Sequence, residues 1–469
     1  MLLLAWAAAS AEPLRLHPKN PHYFLFRDRP VVLVTSGEHY GAVVNVDFRY
    51  ERYLDTLAAA GLNLTRLFVG SYLEKPGDFG IRLNTLAPRP NRVVTPWARS
   101  ATDGYAGGGA KFDLDRWDDA YFVRLRDFVA KADARGVVIE VVLFSNWYGK
   151  GTMSPLHHAN NVNGLPALDP ERVHTLDNGP LLARQEAMVR KIVTELNVFD
   201  NVYFEIQNEP DATSPQKQAI PPVRNQAAPA EVKVATAASL AWQARVAQWI
   251  ADEERRLPKK HLIAQNFANH GVPLDAVNPL VSVLNFHYAE PEVVAWNARW
   301  RRPIAFDESG FAGSDDTVYR RQAWRFLMAG GAVFSGLDYS FAAGFEAGTA
   351  ANDAPGGGSA ALRSQLGVLR RTLESTGLVA LAPDPHIVAE ARDAATLALS
   401  HPGKQYVIYV EGPGKTDLIV DLPAGRYDAT WLNARTGRVD RQEELTGGGR
   451  RLLESPDYMT DVVVRITRR

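Results

Sequence analysis

The stretch VYFEIQNEP, residues 202–210, is an apolar run that ends on a carboxylate and a proline. Its β-branched and aromatic residues predict a buried strand over 202–207, and Pro210 marks the end of that strand. A buried strand gains nothing in packing from ending on Glu209. The C-terminal strand ends of parallel α/β barrels hold functional groups, however, and this explains an acid at that place. The stretch therefore predicts one strand of such a barrel.

Seven further stretches have the same character, and amphipathic segments of helical period separate them. The eight predicted strands are 31–36, 62–70, 137–145, 202–207, 261–266, 281–288, 303–309 and 332–340. Eight strand–helix pairs predict an α/β fold, a (β/α)8 TIM barrel, and no dinucleotide-binding fingerprint follows any strand as in an open doubly wound sheet. The longest loops follow strands rather than precede them. This asymmetry places the functional face at the C-terminal ends of the strands.

After about residue 378 the hydrophobic period changes to two, and Pro-Gly, Ala-Gly and Thr-Gly turns separate the segments. This pattern predicts a small antiparallel β-sandwich. The predicted division is therefore a leader remnant over 1–11, the barrel over 12–377 and the sandwich over 378–469. Trp431 lies in the sandwich, where we expect a core residue, the alternative being a sugar-binding surface.

Composition narrows the choice of partners. The chain has 52 Lys plus Arg against 53 Asp plus Glu, so bulk charge does not attract nucleic acid, and no nucleic-acid partner is expected. Ten tryptophans and sixteen tyrosines supply the flat apolar faces on which sugars stack. The absence of cysteine excludes disulfides, thiol nucleophiles and thiolate metal sites. A carbohydrate substrate is the expected partner, and the oligomeric state is left open.

The first residues, MLLLAWAAASAEPL, resemble the apolar core of a signal peptide with a small-residue cleavage site at Ala9-Ser10-Ala11. We therefore expect a secreted or periplasmic protein with no membrane association after removal of the leader. The usual positively charged leading segment is missing, so a short buried helix is the alternative. No other stretch is long and apolar enough to cross a bilayer.

A second carboxylate has the same kind of position as Glu209. The run PIAFDESG places Glu308 at the end of the predicted seventh strand, opposite the fourth strand across the barrel mouth. Two facing carboxylates are what glycoside hydrolysis requires, one protonated to assist the leaving oxygen and one ionised to attack the anomeric carbon. Each acid alone could instead cap a helix or pair with an arginine. The two together favour catalysis.

These features resemble the clan A glycoside hydrolases, which are retaining enzymes on a (β/α)8 barrel and include the family 5 cellulases. Asn208-Glu209-Pro210 and Glu308 match the acid/base and nucleophile motifs at the ends of strands four and seven. The resemblance implies that Glu209 is the general acid/base, Glu308 the nucleophile and Asn208 a donor to the sugar 2-hydroxyl. Retention would place the two carboxyl groups about 5 to 5.5 Å apart. It implies no cofactor and no metal.

Further positions follow the same resemblance. Arg66 in GLNLTRLF corresponds to the arginine beside the nucleophile, and His287-Tyr288 corresponds to the strand-six feature whose tyrosine binds the nucleophile. Arg66 would keep Glu308 ionised and Tyr288 would orient it. The alternatives are a lumen ion pair for Arg66, plain packing for Tyr288 and an Asx-turn for Asn208. The sandwich is similar to the small β-domain of many bacterial glycosidases that is sometimes labelled collagen-binding.

Strand eight departs from the family pattern. Clan A members often have a tryptophan at its end, whereas this chain has SGLDYSF, so Asp338, Tyr339 or Phe341 must line the sugar subsite. Other strand ends offer further substrate contacts. We expect Trp147 to be a stacking platform, and the remaining expected contacts are Asn146, Glu38 and His39.

Three rival hypotheses remain. A metal-dependent barrel hydrolase would usually have His-x-His on the first strand, which here ends Glu38-His39-Tyr40. A non-catalytic carbohydrate-binding barrel would have no use for two facing acids. A transglycosylase would use the same two glutamates and differ only in the acceptor. The sequon Asn63-Leu64-Thr65 lies inside a predicted barrel strand, and we interpret it as accidental.

Overall fold

The computed structural model describes residues 12–225, 227–351 and 356–469. The predicted leader, residues 1–11, lies outside the described residues. Within the described ranges, no helix combines the length and apolarity that a membrane span requires.

The core of the molecule is a sheet of eight parallel strands. They are Leu33–Gly37, Leu64–Phe68, Val138–Ser145, Val202–Asn208, Ile263–Asn269, Val283–His287, Ile304–Ser309 and Val333–Leu337. From the second to the eighth, each strand pairs with the next along the chain, and the eighth pairs with the first. All eight predicted strands are present, with their ends moved by at most a few residues. The predicted (β/α)8 barrel is confirmed.

Asn63 closes the ring between the first and second strands. Its backbone N–H donates to Val34 O at 3.1 Å, its Nδ2 donates to Val32 O at 2.9 Å, and its Oδ1 accepts from Val34 N at 2.9 Å. The side chain thus replaces ladder hydrogen bonds where no regular pairing continues. This buried residue belongs to the sequon of the sequence.

Helices surround the barrel and bury one apolar stripe each. They are Tyr50–Ala60, Asp119–Asp133, Pro170–Val173, Leu181–Leu196, Ala237–Glu254, Glu292–Asn297, Asp316–Met328 and Ala360–Glu374. Several begin at a capping side chain, as where Thr236 accepts from Ser239 N. Gly61, at φ 80°, ends the first helix in the left-handed conformation that glycine adopts without strain.

Short antiparallel elements flank the barrel. A three-stranded sheet (Arg15–Leu16, Phe24–Phe26, Arg29–Val31) precedes the first barrel strand. Two hairpins, Trp97–Asp103 with Ala110–Trp117 and Lys217–Ala219 with Glu231–Lys233, lie in the long loops after strands two and four.

The C-terminal part forms two antiparallel sheets, as predicted. In spatial order the larger comprises Ala382–Pro383, Ala395–His401, Gln405–Glu411, Asp461–Arg468, Arg426–Asn433 and Val439–Thr446, and the smaller Val388–Ala391, Asp417–Leu422 and Gly449–Glu454. Trp431 is fully buried between them, so the alternative of sugar binding by this residue is wrong.

The sandwich is joined to the barrel by buried polar contacts. Arg320, on a barrel helix, donates to both carboxylate oxygens of Asp461 at 3.0 and 2.7 Å. Trp324 stacks on Tyr409, with ring centroids 5.3 Å apart and ring planes 2° from parallel. These contacts fix the sandwich on the side of the barrel.

Candidate active site

The two predicted catalytic glutamates meet at the C-terminal face of the barrel. Glu209 directly follows the fourth strand, and Glu308 is the second-last residue of the seventh. His287, at the end of the sixth strand, lies between them, with Nδ1 2.9 Å from Glu209 Oε1 and 3.6 Å from Glu308 Oε1. One oxygen of each carboxylate lies within 4.8 Å of the other.

Glu308 is buried and held by three donors. Tyr288 OH donates to Oε1 at 2.8 Å, while Arg66 Nη1 and Tyr40 OH donate to Oε2, each at 3.1 Å. Burial opposes ionisation, but the charges of His287 and Arg66 and the Tyr288 hydrogen bond hold the pKa of Glu308 below its usual value. Glu308 is therefore a buried, oriented carboxylate whose neighbours favour the ionised form.

Glu209 has fewer and different partners. His287 Nδ1 contacts its Oε1, and Tyr148 OH donates to its Oε2. Its backbone has φ 45°, in the left-handed region that non-glycine residues rarely adopt, and Pro210 follows. This turn lifts the carboxylate out of the strand direction and points it at His287. No arginine or lysine contacts Glu209 among the described residues, so its surroundings differ from those of Glu308.

His287 couples the two acids. Burial would lower its pKa, but Glu308 and Asp307 raise the pKa of His287 well above the usual value. The ring has one edge on Glu209 and the other 3.6 Å from Asp307 Oδ2. A proton on this imidazole can therefore be shared with Glu209, which gives the acid a neighbour that accepts or donates a proton.

An ionic cluster fills the lumen beneath the site. Arg66, fully buried, has Nη2 2.6 Å from Glu205 Oε2 and 3.6 Å from Asp307 Oδ2, and its Nε lies 3.4 Å from Glu140 Oε2. Burial would lower the pKa of Arg66, but Glu205 and its other anionic neighbours raise it. Burial raises the pKa of Glu205 to about 6 although Arg66 opposes this.

Two groups bring three ligand atoms within 4.8 Å and could hold a metal ion: Glu209, His287 and Glu308, and below them Glu205, His287 and Asp307. Arg66 contacts Glu205, Asp307 and Glu308 and already supplies positive charge to both groups. A divalent cation so close to the guanidinium would be repelled. We therefore interpret both groups as parts of one ion-pair network.

Asn208 and Asn146 present amides beside the acids. Asn208 Oδ1 accepts from Arg66 Nη2 at 3.1 Å, and Nδ2 lies 3.4 Å from Ser145 Oγ. Asn146 donates its backbone N–H to Asn208 O, and its Oδ1 accepts from Thr213. The Nδ2 of Asn146 has no hydrogen-bond partner among the described residues, although it is buried. Arg66 therefore orients the Asn208 side chain, and Asn146 has an amide donor that no described residue engages.

His39 and Tyr339 lie at the opposite side of the site. Their rings are 5.9 Å apart, and His39 Nε2 contacts Glu74 Oε2 at 3.1 Å. Burial lowers the pKa of His39, but Glu74, Glu308 and Glu38 raise it overall. Tyr339 is buried, and its hydroxyl has no hydrogen-bond partner among the described residues. Tyr339 thus lies beside His39 with a hydroxyl that no described residue engages.

Three residues that were expected to contact the substrate are buried and have partners within the protein. Glu38 is buried and accepts from Gly41 N and Ala42 N, which fixes the loop after strand one. Asp338 is fully buried and accepts from Arg363 Nη1 at 2.6 Å. Trp147 is 5% exposed, and its ring lies beside that of His157, with centroids 5.7 Å apart. Glu38 and Asp338 are therefore engaged by the protein itself, and the roles of all three residues as substrate contacts stay predictions.

Phe341, the third residue considered on strand eight, is also buried. It packs edge-on against Tyr53. Tyr40, Tyr148 and Glu74 are further site residues. The strand ends SGEHYG and FSNWYG place Tyr40 and Tyr148 at this face without giving either a role, and no sequence signal indicates Glu74.

No protein-family model and no curated protein sequence matches the chain. The similar solved structures are glycoside hydrolases. One of family 5 from Bacteroides vulgatus has a TM-score of 0.64 at 12% identity, over 97% of this chain and 92% of that chain. Another glycoside hydrolase gives 0.63 at 13% identity over 97% of both. A family 30 subfamily 8 xylanase from Clostridium acetobutylicum gives 0.51 at 12% identity, over 97% and 99%.

At these identities the likeness shows the fold. The chain has the TIM-barrel fold of the clan A glycoside hydrolases, and the similarity extends over the barrel and the C-terminal sandwich. The resemblance inferred from the motifs is confirmed at this level.

Proposed function

We propose that the protein is a retaining β-glycoside hydrolase that acts on an oligo- or polysaccharide. The observation that carries the proposal is the pair Glu209 and Glu308 on opposite strands. Among the described residues Glu209 has no cationic neighbour other than His287, whereas both His287 and Arg66 favour the ionised form of Glu308. Two carboxyls in unlike surroundings are what acid/base and nucleophile roles require. The glycoside hydrolase fold supports the same function.

Glu308 attacks the anomeric carbon while Glu209 protonates the leaving oxygen. Glu209 then removes a proton from water, which releases the sugar from the glycosyl-enzyme. The close approach supports double displacement: one oxygen of each carboxylate lies within 4.8 Å of the other, whereas inverting enzymes hold the two carboxyl groups about 6.5 to 9.5 Å apart. Asn208, oriented by Arg66, donates to the sugar 2-hydroxyl.

The leader-like start of the sequence supports action outside the cytoplasm, where polysaccharides occur. The oriented amides of Asn146 and Asn208 and the polar groups of His39 and Tyr339 support a hydroxyl-rich substrate. His39 and Tyr339 would contact the sugar on the side away from Glu209.

The test is a screen of wild type, Glu308→Ala and Glu209→Ala on aryl β-glycosides and on plant, algal and bacterial polysaccharides. Released sugar identifies the substrate. Azide then separates the two roles, because it can occupy the space of a removed carboxylate. With Glu209→Ala it should give a glycosyl azide of unchanged anomeric configuration, and with Glu308→Ala one of inverted configuration.

A matched control is Glu290→Gln. Glu290 lies two residues beyond Tyr288 at the same face, and its carboxylate accepts from Asn225 Nδ2 at 2.7 Å. It should keep wild-type turnover. Turnover unchanged by Glu308→Ala would contradict the proposal. Products extended by an added sugar acceptor would identify a transglycosylase, and glycan binding without turnover a binding protein.

A further inference from the structure

Three phenylalanines are strongly exposed among the described residues. Phe79 is 42% exposed, Phe311 44% and Phe345 42%. Single exposed apolar residues are common and need no explanation. Phe79 and Phe311 are nevertheless unusual because both also have φ 56°, in the left-handed region that a bulky side chain adopts only when its surroundings enforce it. Such strain concentrates at functional sites and ligand clamps.

Each of these two rings packs against a tyrosine that binds a catalytic glutamate. The Phe79 ring meets Tyr148 edge-on, with centroids 5.2 Å apart and planes at 87°, and Tyr148 donates to Glu209. The Phe311 ring lies 6.4 Å from that of Tyr288 at 69°, and Tyr288 donates to Glu308. The two phenylalanines therefore flank the mouth of the site, one on each carboxylate's side.

Because the two glutamates have different roles, the two sides of the site face different parts of the substrate. An acid/base contacts the glycosidic oxygen, so groups beyond it face the leaving group. A nucleophile contacts the anomeric carbon, so groups beyond it face the sugar that becomes enzyme-bound. Sugar and aryl rings have apolar faces that pack on aromatic side chains, and an exposed phenyl ring has a face free for this.

We propose that Phe79 stacks on the leaving group and Phe311 on the sugar that becomes attached to Glu308. This inference rests on the proposed function. The substrate then carries a ring with an apolar face on both sides of the cleaved bond, which means an oligosaccharide or an aryl or similarly flat glycoside. The edge-on contacts to Tyr148 and Tyr288 hold the platforms in place.

The kinetic test compares an aryl β-glycoside with the matching glycosyl fluoride, whose leaving group has no ring. Phe79→Ala should lower kcat/KM for the aryl glycoside about 2- to 12-fold, the range of one aromatic contact, and leave the fluoride unchanged. Phe311→Ala should lower kcat/KM for both by a similar factor. Phe345→Ala, an equally exposed phenylalanine that contacts neither tyrosine, should change neither. Equal loss on both substrates with Phe79→Ala, or no loss, would overturn the assignment.

Binding is measured separately in the Glu308→Gln background, by calorimetry with p-nitrophenyl β-glucoside, β-mannoside, β-galactoside and β-xyloside. Weaker binding on adding Phe79→Ala or Phe311→Ala supports the platforms even where wild type shows no turnover, in which case only the proposed function fails. Affinity that neither substitution changes, or no binding to any of the four, overturns the inference whatever the turnover.

Discussion

Replacing Tyr288 with phenylalanine removes the hydroxyl group that donates to the nucleophile Glu308 and keeps the aromatic ring. That hydroxyl donates to Glu308 Oε1 at 2.8 Å, and the other neighbour of this oxygen, His287 Nδ1, is 3.6 Å away. The second oxygen keeps Arg66 and Tyr40. A hydrogen bond to a charged group contributes about 1.5 to 3 kcal/mol, which corresponds to roughly 10- to 150-fold in rate.

The loss should fall mainly on the second chemical step. Negative charge returns to Glu308 when the glycosyl-enzyme is hydrolysed, and the Tyr288 hydroxyl is placed to stabilise it. We expect kcat on an activated aryl glycoside to fall by at most this 10- to 150-fold. The full loss is not reached because the charge on Glu308 is only partly formed in the transition state. The covalent intermediate should accumulate and be detectable by intact-protein mass spectrometry.

The pH profile should change as well. Burial favours protonated Glu308, and His287, Arg66 and the Tyr288 hydrogen bond together hold its pKa below the usual value. Removal of one of these lowering contacts raises the pKa of Glu308. Less nucleophile is then ionised at mildly acidic pH, so the acidic limb of kcat/KM moves to higher pH.

Tyr40→Phe is the matched control. Its hydroxyl lies 3.1 Å from Glu308 Oε2, an oxygen that Arg66 also holds, and a phenyl ring would keep the contact with the guanidinium. We expect a smaller loss, about 10-fold or less, the lower end of the range for a hydrogen bond to a charged group, because Arg66 still contacts this oxygen. Equal losses in the two variants, or an unmoved acidic limb in Tyr288→Phe, would refute the view that Tyr288 orients the nucleophile.

Other predictions concern charge and packing. Burial and then the charge of Glu209 raise the pKa of Asp211 from 3.8 to about 7, so ionisation of Asp211 opposes folding and stability falls as the pH rises between these values. Asp211→Asn should remove that fall, measured by denaturant titrations at several pH values. Arg320→Ala leaves buried Asp461 unpaired and should lower the free energy of unfolding by about 3 to 5 kcal/mol in denaturant titrations. Asn63→Ala leaves two buried backbone groups of the first strand without partners and should lower it by about 1 to 3 kcal/mol for each.

The barrel was predictable because its strands are buried on both faces and separated by amphipathic helices. The runs around residues 137–145 and 202–207 are mostly apolar and do not alternate regularly with polar residues. This pattern predicts the number and order of the strands even where the predicted strand ends differ from the observed ones. Glu209 and Glu308 were predictable for the opposite reason. An acid that follows such a run has nowhere to be solvated except at the strand tip.

The side-chain directions past the strand ends were not predictable. Tyr40, Glu209 and Tyr288 have φ of 63°, 45° and 49°, values that sequence patterns assign to glycine or asparagine. Such turns end the regular alternation of a strand. Past the end of the third strand, Tyr148 likewise reaches Glu209 while Trp147 beside it is buried. These conformations depend on tertiary contacts such as the Tyr288 N–H donated to Glu308 O at 2.9 Å.

The ionic cluster in the barrel lumen contributes to the active site rather than to the stability of the fold. Barrel interiors are usually layers of branched apolar side chains, yet here strands two, three, four and seven contribute Arg66, Glu140, Glu205 and Asp307, all fully buried. Buried ion pairs rarely stabilise a fold compared with apolar residues of the same volume. Arg66 contacts Glu308 and Asn208 from this cluster. The buried carboxylates beneath it therefore position the guanidinium beside the nucleophile. An apolar replacement of the whole cluster would therefore raise stability and leave Glu308 without its nearest permanent positive charge.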